Sequence, residues 1–411
     1  MTASSDNITY TLCDTDSSIR AAVDRLSNAT HLAVDLEGAS LGQTGGTLCI
    51  ISLKNAWELD SPNYLIDVLA FASEHERRLR PIYDLLESPN ITKVLFGGCM
   101  DYCALYHDCH VTLSNVVDIQ LADIKSRPLR GEGLDLQLRR LGEVFVKAAA
   151  KGGSSLSRKK KDQDGSWNGN EERQMFMQVH RLLGLRDCLR EHSVGGVSVP
   201  KVDHSSWLTR PLPSTYLTYA ASDLINISGL FQQFVAKGYI TPILEEESQR
   251  YISIWNDRKP YPGEKFRNHA FLPLDIINYR HGGTSSTSRC KCNGCQRDLP
   301  EGCFPMRETW VHTVTSESSS GTRTGQCFVC RAVCLQRQKK ERQHQSRRNR
   351  SFSSSYSYHY DYDYDYDEYG HDNWGACEAL DFEIEDDFGD NPWADYFLTR
   401  PGIWGMPLPY Y

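Results

Sequence analysis

The 411-residue sequence lacks long hydrophobic runs, and no apolar segment approaches the roughly 18 residues that a membrane-spanning helix needs. Its first residues, MTASSDNITYTLCDTDSS, lack the basic-then-apolar pattern of a secretory signal. It also has no internal repeat with a period of roughly 20–50 residues. We therefore expect an intracellular protein without a membrane partner, with nucleus and cytoplasm both left open.

The cysteines of this chain do not indicate a disulfide-bonded protein. The chain has 14 cysteines, but without a secretory signal we do not expect an oxidised scaffold. Seven of the cysteines fall between residues 290 and 334, and such clustering in an intracellular chain predicts metal binding.

The formal charge of −8 combines two parts of opposite sign. Residues 351–411 carry 14 Asp/Glu and one Arg, whereas residues 1–350 carry 44 Lys/Arg and 39 Asp/Glu. A mildly basic body with an acidic tail is compatible with a nucleic-acid partner without requiring one. The length predicts about two to three domains, and 40% hydrophobic residues are enough for a sizeable core.

Residues 8–240 have the pattern of one α/β unit. Short apolar runs predict strands at 31–38, 47–53, 63–71 and 93–98, and the start of another element at 115–124. Apolar spacing predicts helices at 72–87, from 100 onward, and at 133–145, 172–191, 214–238 and 239–256. We predict a mixed sheet flanked by helices, with a flexible Gly/Ser/charge-rich insertion at 148–172 and a helical extension and linker at 241–285.

Acidic residues occur where this unit should be apolar. Asp35 and Glu37 alternate on one strand and so share a face, and Asp101 begins a helix directly after another strand. Tyr219 and Asp223 are four residues apart on one helix and also share a face. Four carboxylates at one sheet edge would raise one another's pKa, so we expect divalent cations to hold them together. All-oxygen ligation favours Mg²⁺ or Mn²⁺ over zinc.

Two such ions about 3.5–4 Å apart suit phosphodiester hydrolysis. One ion lowers the pKa of a bound water, and both stabilise charge on the attacking and leaving oxygens. Tyr219, one turn before Asp223, is a candidate to orient or deprotonate that water.

Three segments of the chain resemble, in order, the three motifs of the DEDD 3′–5′ exonucleases: AVDLEG, KVLFGGCMDYCALY and YAASD. The Tyr-x-x-x-Asp form of the last motif is that of the DEDDy branch, which includes RNase D-like enzymes. The segments DLEGASLGQTGGTLCIISL, NVVDIQLADI and WLTRPLP resemble the 3′–5′ exonuclease domain-containing proteins. The resemblance covers residues 8–240 outside the insertion and implies an RNase H-like fold.

The resemblance implies a role for each matching residue. Asp35 would bridge two metal ions, Glu37 would bind the ion on the nucleophile side, and Asp223 would complete that site. Asp101 would hold the second ion through water, and Tyr219 would position the attacking water. The implied reaction releases 5′-nucleoside monophosphates from a 3′ end.

The segment before Asp101 departs from the family pattern. Relatives often have an acidic or polar residue and an Arg there, whereas this chain has Gly97, Gly98, Cys99 and Met100. Contacts to the nucleic-acid strand that relatives make through these residues are therefore in question. Some family members keep the fold as RNA-binding scaffolds without catalytic activity. The sequence does not single out nucleic-acid-binding residues.

The cysteine cluster contains two C-x-x-C pairs, CNGC and CFVC, separated by 31 residues. We predict a closed, structural zinc site of four thiolates in a module at 286–336, with TSESSSGTRTG as a hairpin loop. The four ligands would be Cys292, Cys295, Cys327 and Cys330, and the alternatives are Cys290, Cys303, Cys334 and His312. Nucleic acid and protein are equally compatible partners for this module.

Residues 337–411 are basic and then acidic and Tyr-rich, and we expect a disordered tail. The basic tract 337–350 could instead extend a helix from the module; it suits phosphate contacts, nuclear import or a solvated linker. As a hypothesis, the Asp-Tyr repeats compete with nucleic acid for this tract, and deletion of 351–411 would tighten RNA binding at low salt. RKKK at 158–161 is a weaker candidate for strand contact.

We therefore predict a Mg²⁺- or Mn²⁺-dependent 3′–5′ exonuclease for single-stranded RNA or DNA, with a structural zinc module. The first alternative is a catalytically silent nucleic-acid-binding scaffold in RNA processing or silencing. The second is an adaptor that recruits protein through the zinc module or the acidic tail.

Overall fold

A computed structural model describes residues 8–141, 178–264, 266, 269–277, 288–305 and 325–355. The predicted insertion at 148–172, His312, the TSESSSGTRT stretch and residues 356–411 lie outside this part. None of the described helices is long and apolar enough to cross a membrane.

A six-stranded mixed sheet forms the centre of the fold, in the order β1-β4-β3-β2-β5-β6. Strand β3 pairs antiparallel with β2 and β4, whereas the β1–β4, β2–β5 and β5–β6 pairs are parallel. The strands are β1 (Tyr10–Cys13), β2 (His31–Ala39), β3 (Thr47–Asn55), β4 (Asn63–Asp67), β5 (Thr92–Leu95) and β6 (Val116–Asp118).

Helices cover both faces of this sheet, as predicted. In chain order they are α1 (Asp16–Leu26), α2 (His75–Arg78), α3 (Arg80–Glu87), α4 (Cys99–Asp108), α5 (Ile119–Leu129), α6 (Leu134–Leu141), α7 (Leu185–Glu191), α8 (Ser214–Ala236) and α9 (Pro242–Ile252). Short 3-10 helices occupy Val68–Glu74, His204–Ser206 and Ser253–Trp255.

Strand β2 sorts its side chains between the two helical layers. Leu32, Val34 and Leu36 pack in the core cluster that contains α1, α3 and α4. Ala33 belongs to the cluster on the opposite face, with α5, α7 and α8. Because side chains alternate along a strand, the odd-numbered positions of β2 face α8.

Two predicted elements differ from the structure, and two observed elements were not predicted. The strand predicted at 63–71 ends at Asp67, and a 3-10 helix follows. In the described part of the predicted helix 172–191, regular helix covers Leu185–Glu191, while Arg181 makes a β-bridge with Phe271. Strand β1 and helix α1 were not predicted.

The cysteine module consists of a short hairpin and one long helix. Strands β7 (Arg289–Lys291) and β8 (Asp298–Pro300) pair antiparallel, and α10 runs over Phe328–Ser355. Helix α10 therefore continues through the basic tract 337–350. The module packs on α6, because Leu138 and Leu141 share one buried cluster with it.

Candidate active site and cysteine centre

Asp35 and Glu37 lie on the central strand β2, on the face that carries α8. A bulge follows directly, since the register with β3 shifts between Glu37 and Gly38. A Cβ atom at Gly38 would lie 2.2 Å from the carbonyl oxygen of Thr47, so a larger residue could not take this position without movement of β3. The bulge thus ends the regular alternation immediately after the second carboxylate.

Helix α8 brings Tyr219 and Asp223 to the same place. Its apolar stripe, which the sequence predicted, is buried against the sheet. One carboxylate oxygen from each of Asp35, Glu37 and Asp223 lies within 4.8 Å of the others. Three carboxylates thus converge from two distant segments of the chain.

Asp101 reaches the same cavity from the first turn of α4. The Asp118 carboxylate fixes the turn that precedes this helix, because it accepts hydrogen bonds from Gly97 N (3.0 Å) and Gly98 N (2.9 Å). Gly97 adopts φ +68°, a backbone conformation that favours glycine. The glycines that depart from the family pattern therefore have a backbone role here.

Desolvation affects the two acids around this turn. Burial, and then the charge of Asp118, raise the pKa of Asp101 to about 8. Burial also raises the pKa of Asp118 to about 6, although backbone amides stabilise its charged form. A nearby cation would favour the ionised form of both acids.

All five predicted residues line one cavity of about 480 Å³. Asp101 is not one of the three carboxylates within 4.8 Å, but it contributes to the same wall. A cavity of this size can hold a small ligand or part of a polymer chain.

His204 is a site residue that the sequence analysis did not single out. Its Nδ1 lies 3.8 Å from Glu37 Oε2, and its ring meets the Tyr219 ring edge-on at 5.8 Å between centroids. Trp207, which is fully buried, donates from Nε1 to His204 Nδ1 at 3.2 Å. The signal in the sequence was the position of His204, three residues before the tryptophan of the WLTRPLP loop.

The four predicted zinc ligands form the other candidate centre. Cys292, Cys295, Cys327 and Cys330 have their sulfur atoms within 4.8 Å of one another. The Cys292 and Cys330 sulfurs are 3.6 Å apart, close to the roughly 3.8 Å edge of a tetrahedron with zinc–sulfur bonds of about 2.3 Å. None of the thirteen described cysteines forms a disulfide.

Hydrogen bonds in this cluster favour a thiolate at Cys292. The neighbouring thiols, Cys295 first, hold the pKa of Cys292 well below its usual range. The amides of Gly294 and Cys327 both donate to its sulfur at 3.3 Å. Among the described residues, the alternatives Cys290, Cys303 and Cys334 are not part of the four-sulfur group.

A third cluster, of Asp123, Cys188 and His192, is less suited to a cation. His192 Nε2 is 2.8 Å from Asp123 Oδ1, and Arg127 donates to the same carboxylate at 2.7 Å. Arg130 lies 3.4 Å from it. The two guanidinium groups already neutralise Asp123 and would repel a metal ion.

The domain is a mixed sheet flanked by helices, with three carboxylates converging at its central strand. Residues 10–238 match the family model described as 3′–5′ exonuclease. The match spans more than half of the chain, so the chain belongs to the 3′–5′ exonuclease family, and its Tyr-x-x-x-Asp motif is of the DEDDy type.

Several solved structures are similar to this chain. RNase D of Trypanosoma brucei in complex with RNA U12 is 20% identical with a TM-score of 0.43, over 72% of this chain and 84% of that one. Escherichia coli RNase D is 19% identical with a TM-score of 0.35, over 63% and 54%. The Nibbler EXO domain of Aedes aegypti is 17% identical with a TM-score of 0.36, over 59% and 95%. No curated protein matches the chain.

Proposed function

We propose that this protein is a metal-dependent 3′–5′ exonuclease that hydrolyses single-stranded RNA or DNA from the 3′ end. The observation that carries the proposal is the convergence of Asp35, Glu37 and Asp223 within 4.8 Å. Three close carboxylates repel one another unless protons or cations compensate their charge. Their position in a chain of the 3′–5′ exonuclease family makes divalent cations the natural compensation.

The donor set fits hard cations. Carboxylate oxygens from Asp35, Glu37 and Asp223 suit Mg²⁺ or Mn²⁺, and Asp101 would hold a second ion through water. When bound, the ions would supply Lewis-acid activation of water and stabilise charge on the phosphate oxygens.

The chain's own residues would orient the reaction. Tyr219 Oη would hold the attacking water in line with the terminal phosphorus, and the packing of His204 and Trp207 around its ring fixes that hydroxyl. The water gives up a proton as its oxygen bonds to phosphorus, the bond from phosphorus to the 3′ oxygen of the preceding nucleotide breaks, and that oxygen takes up a proton. The product is a 5′-nucleoside monophosphate.

We further propose that the four cysteines bind one structural zinc ion. Four sulfur ligands leave no open coordination position, as is usual for structural sites. Because the module packs on α6, the ion would hold together a part of the fold that contacts the exonuclease domain.

A catalytically silent nucleic-acid-binding scaffold is the second candidate. It is favoured by one observation, that Asp101 lies outside the group of three close carboxylates. In such a protein the cavity would bind a strand end without cleaving it.

One assay distinguishes the exonuclease from the catalytically silent scaffold. A 5′-labelled single-stranded RNA and the matching DNA are incubated with Mg²⁺ or Mn²⁺ and either the full chain, Asp35→Ala or Asp60→Ala. Asp60 is an exposed carboxylate that does not line the cavity, so its variant is the matched control. Metal-dependent laddering that disappears in Asp35→Ala alone supports the exonuclease. Binding without laddering contradicts it and supports the scaffold.

A further inference from the structure

The cavity at the exonuclease site is built from two parts of the chain. One side carries the carboxylates and Tyr219. A second part of the lining belongs to the segment after α9 and to the cysteine module, and we call it the far wall. Its members include Trp255, Arg258, Phe271, Gln296 and Arg297.

We propose that the far wall is the surface on which the last nucleotides of the substrate strand lie, with Trp255 and Arg297 as nucleic-acid-binding residues. This inference rests on the proposed exonuclease function and adds a strand-binding role for the cysteine module. The cavity is continuous from the three carboxylates to the far wall, so a strand end at the carboxylates must extend along it.

The far wall is held firmly against the exonuclease domain. Leu272 N donates to His180 O at 2.8 Å, and Leu182 N donates to Ala270 O at 2.9 Å. Buried side chains of α6 pack with the module on the other side of this bridge. A surface held by backbone hydrogen bonds and a shared core can bind a ligand without a large loss of entropy.

Trp255 has the features of a platform for base stacking. Its indole is partly exposed in the cavity, and the Arg258 guanidinium packs over the ring at 5.4 Å from the centroid. Glu264 holds that guanidinium through two hydrogen bonds, and His107 Nε2 donates to Trp255 O at 2.8 Å. The ring is therefore fixed before a strand arrives, and stacking on aromatic rings tolerates any base.

Arg297 adds a positive charge to the cavity that the carboxylates line. It donates to Leu274 O and forms no ion pair with the described residues. Phosphate oxygens are the common partners of such a guanidinium in complexes with nucleic acid. A cation on the far wall and carboxylates with their ions on the near side would hold the backbone between them.

The cysteine site fixes the position of Arg297. Cys292 N donates to Arg297 O at 2.9 Å, and Cys292 is one of the four clustered cysteines. A Cβ atom at Gly294 would lie 2.6 Å from the Cys330 sulfur, so the turn between the first two cysteines closes tightly over the cluster. Loss of the proposed zinc ion would therefore displace Arg297 of the far wall together with the module.

The test measures binding by fluorescence anisotropy. Full-length protein in Ca²⁺ is titrated into a 5′-fluorescein oligouridylate and an oligothymidylate of equal length. Trp255→Ala and Arg297→Ala should each raise the Kd about 5- to 100-fold, with unchanged zinc content. Trp255→Phe should retain most of the affinity. Arg297→Ala should also lower the slope of log K against log salt by about 0.7.

Two residues outside the cavity serve as matched controls. Lys291→Ala removes an exposed cation of the same module, and Trp57→Ala removes an exposed tryptophan of the exonuclease domain. Neither should change the Kd. Trp255→Ala and Arg297→Ala variants that bind like these controls would overturn the proposal.

A direct measurement covers the case in which a variant misfolds. With 4-thiouridine at the last positions of the strand, crosslinks to wild-type peptides that contain residue 255 or 297 are expected. Crosslinks confined to other peptides would refute the proposal that the far wall binds the strand. If Asp35→Ala abolishes laddering while Trp255→Ala and Arg297→Ala bind normally, the exonuclease stands and this inference fails. If Trp255→Ala and Arg297→Ala bind weakly but the wild-type protein produces no laddering, the far wall binds the strand and the exonuclease proposal fails.

Discussion

The guanidinium of Arg210 forms a two-point ion pair with the carboxylate of Asp67, with nitrogen–oxygen distances of 2.8 and 2.7 Å. Asp67 is the last residue of β4, and Arg210 belongs to the WLTRPLP loop. The same Arg210 side chain donates to Trp207 O at 2.8 Å. The pair therefore ties the loop that carries His204 and Trp207 to the end of the sheet.

Loss of this pair should loosen the loop. In Arg210→Ala, the largely buried Asp67 loses the partner of its two-point ion pair, which we expect to cost about 1–3 kcal/mol of unfolding free energy. Amide hydrogen exchange at 203–213 should accelerate, and kcat should fall because Tyr219 loses its fixed surroundings. The control, Arg77→Ala, removes an exposed pair and should leave exchange in the loop unchanged. Equal exchange in both variants would contradict the anchoring role.

The raised pKa of Asp101 predicts that this residue lowers the stability of the fold in a pH-dependent way. An unfolded Asp has a pKa of about 3.9, whereas the folded value is about 8, so the folded state binds more protons between these values. Charge on Asp101 thus destabilises the fold as pH rises through this window. Without added Mg²⁺ or Mn²⁺, the Tm of Asp101→Asn relative to wild type should increase from about pH 5 to 8. Added Mg²⁺ should reduce that difference at the higher pH.

Asp16 provides a control of opposite sign. Its hydrogen bond from Arg78 lowers the pKa of the carboxyl, so the charged form stabilises the fold at all pH values well above about 4. Asp16→Asn should therefore show a constant deficit in Tm over the same range. A rising curve for both variants would mean that Asp101 is not the source of the effect.

Direct measurement of Mn²⁺ binding tests the carboxylate group. Asp223→Asn removes one of the three converging charges, and we expect the Mn²⁺ affinity from electron paramagnetic resonance to fall at least about tenfold. Asp257→Asn changes an exposed carboxylate of the same cavity and should bind Mn²⁺ like wild type. Equal affinities for all three proteins would place the ion elsewhere.

Zinc content tests the cysteine site. Cys327→Ser removes one of four thiolates and should reduce bound zinc, measured by mass spectrometry, from one equivalent per chain to near zero. Cys188→Ser alters a fully buried cysteine outside the cluster and should retain the metal. Because metal binding and folding are coupled in such sites, the melting temperature of Cys327→Ser should also fall.

The elements that the sequence predicted well are those with a strict period. Alternation along β2 put Asp35 and Glu37 on one face, and the spacing of four put Tyr219 and Asp223 on one face of α8. Burial of the α8 stripe confirmed the helix, and the matching family model confirmed the 3′–5′ exonuclease resemblance. The structure brings the two C-x-x-C pairs together, and zinc binding by them stays a prediction.

Contacts between distant segments could not be predicted in the same way. His204 begins a short 3-10 helix in a segment without periodicity, and nothing in the local spacing indicates that it approaches Glu37 to 3.8 Å. The predicted strand at 63–71 was too long because Val68 and Phe71 are apolar and buried even though the chain turns at Asp67. The far wall depends on the bridge between Arg181 and Phe271, for which local sequence carries no signal.

Tyr219→Phe isolates the hydroxyl from the ring. The ring is buried and packs edge-on against His204, and both features persist in phenylalanine, so the unfolding free energy should change little. If Tyr219 Oη orients the attacking water, kcat should fall by about 10²–10⁴ with little change in strand affinity. The matched variant is Tyr239→Phe just after the same helix, whose ring packs against Phe234 and does not line the cavity, so kcat should stay nearly unchanged. Equal kcat values for wild type and Tyr219→Phe would assign the positioning of water to another group.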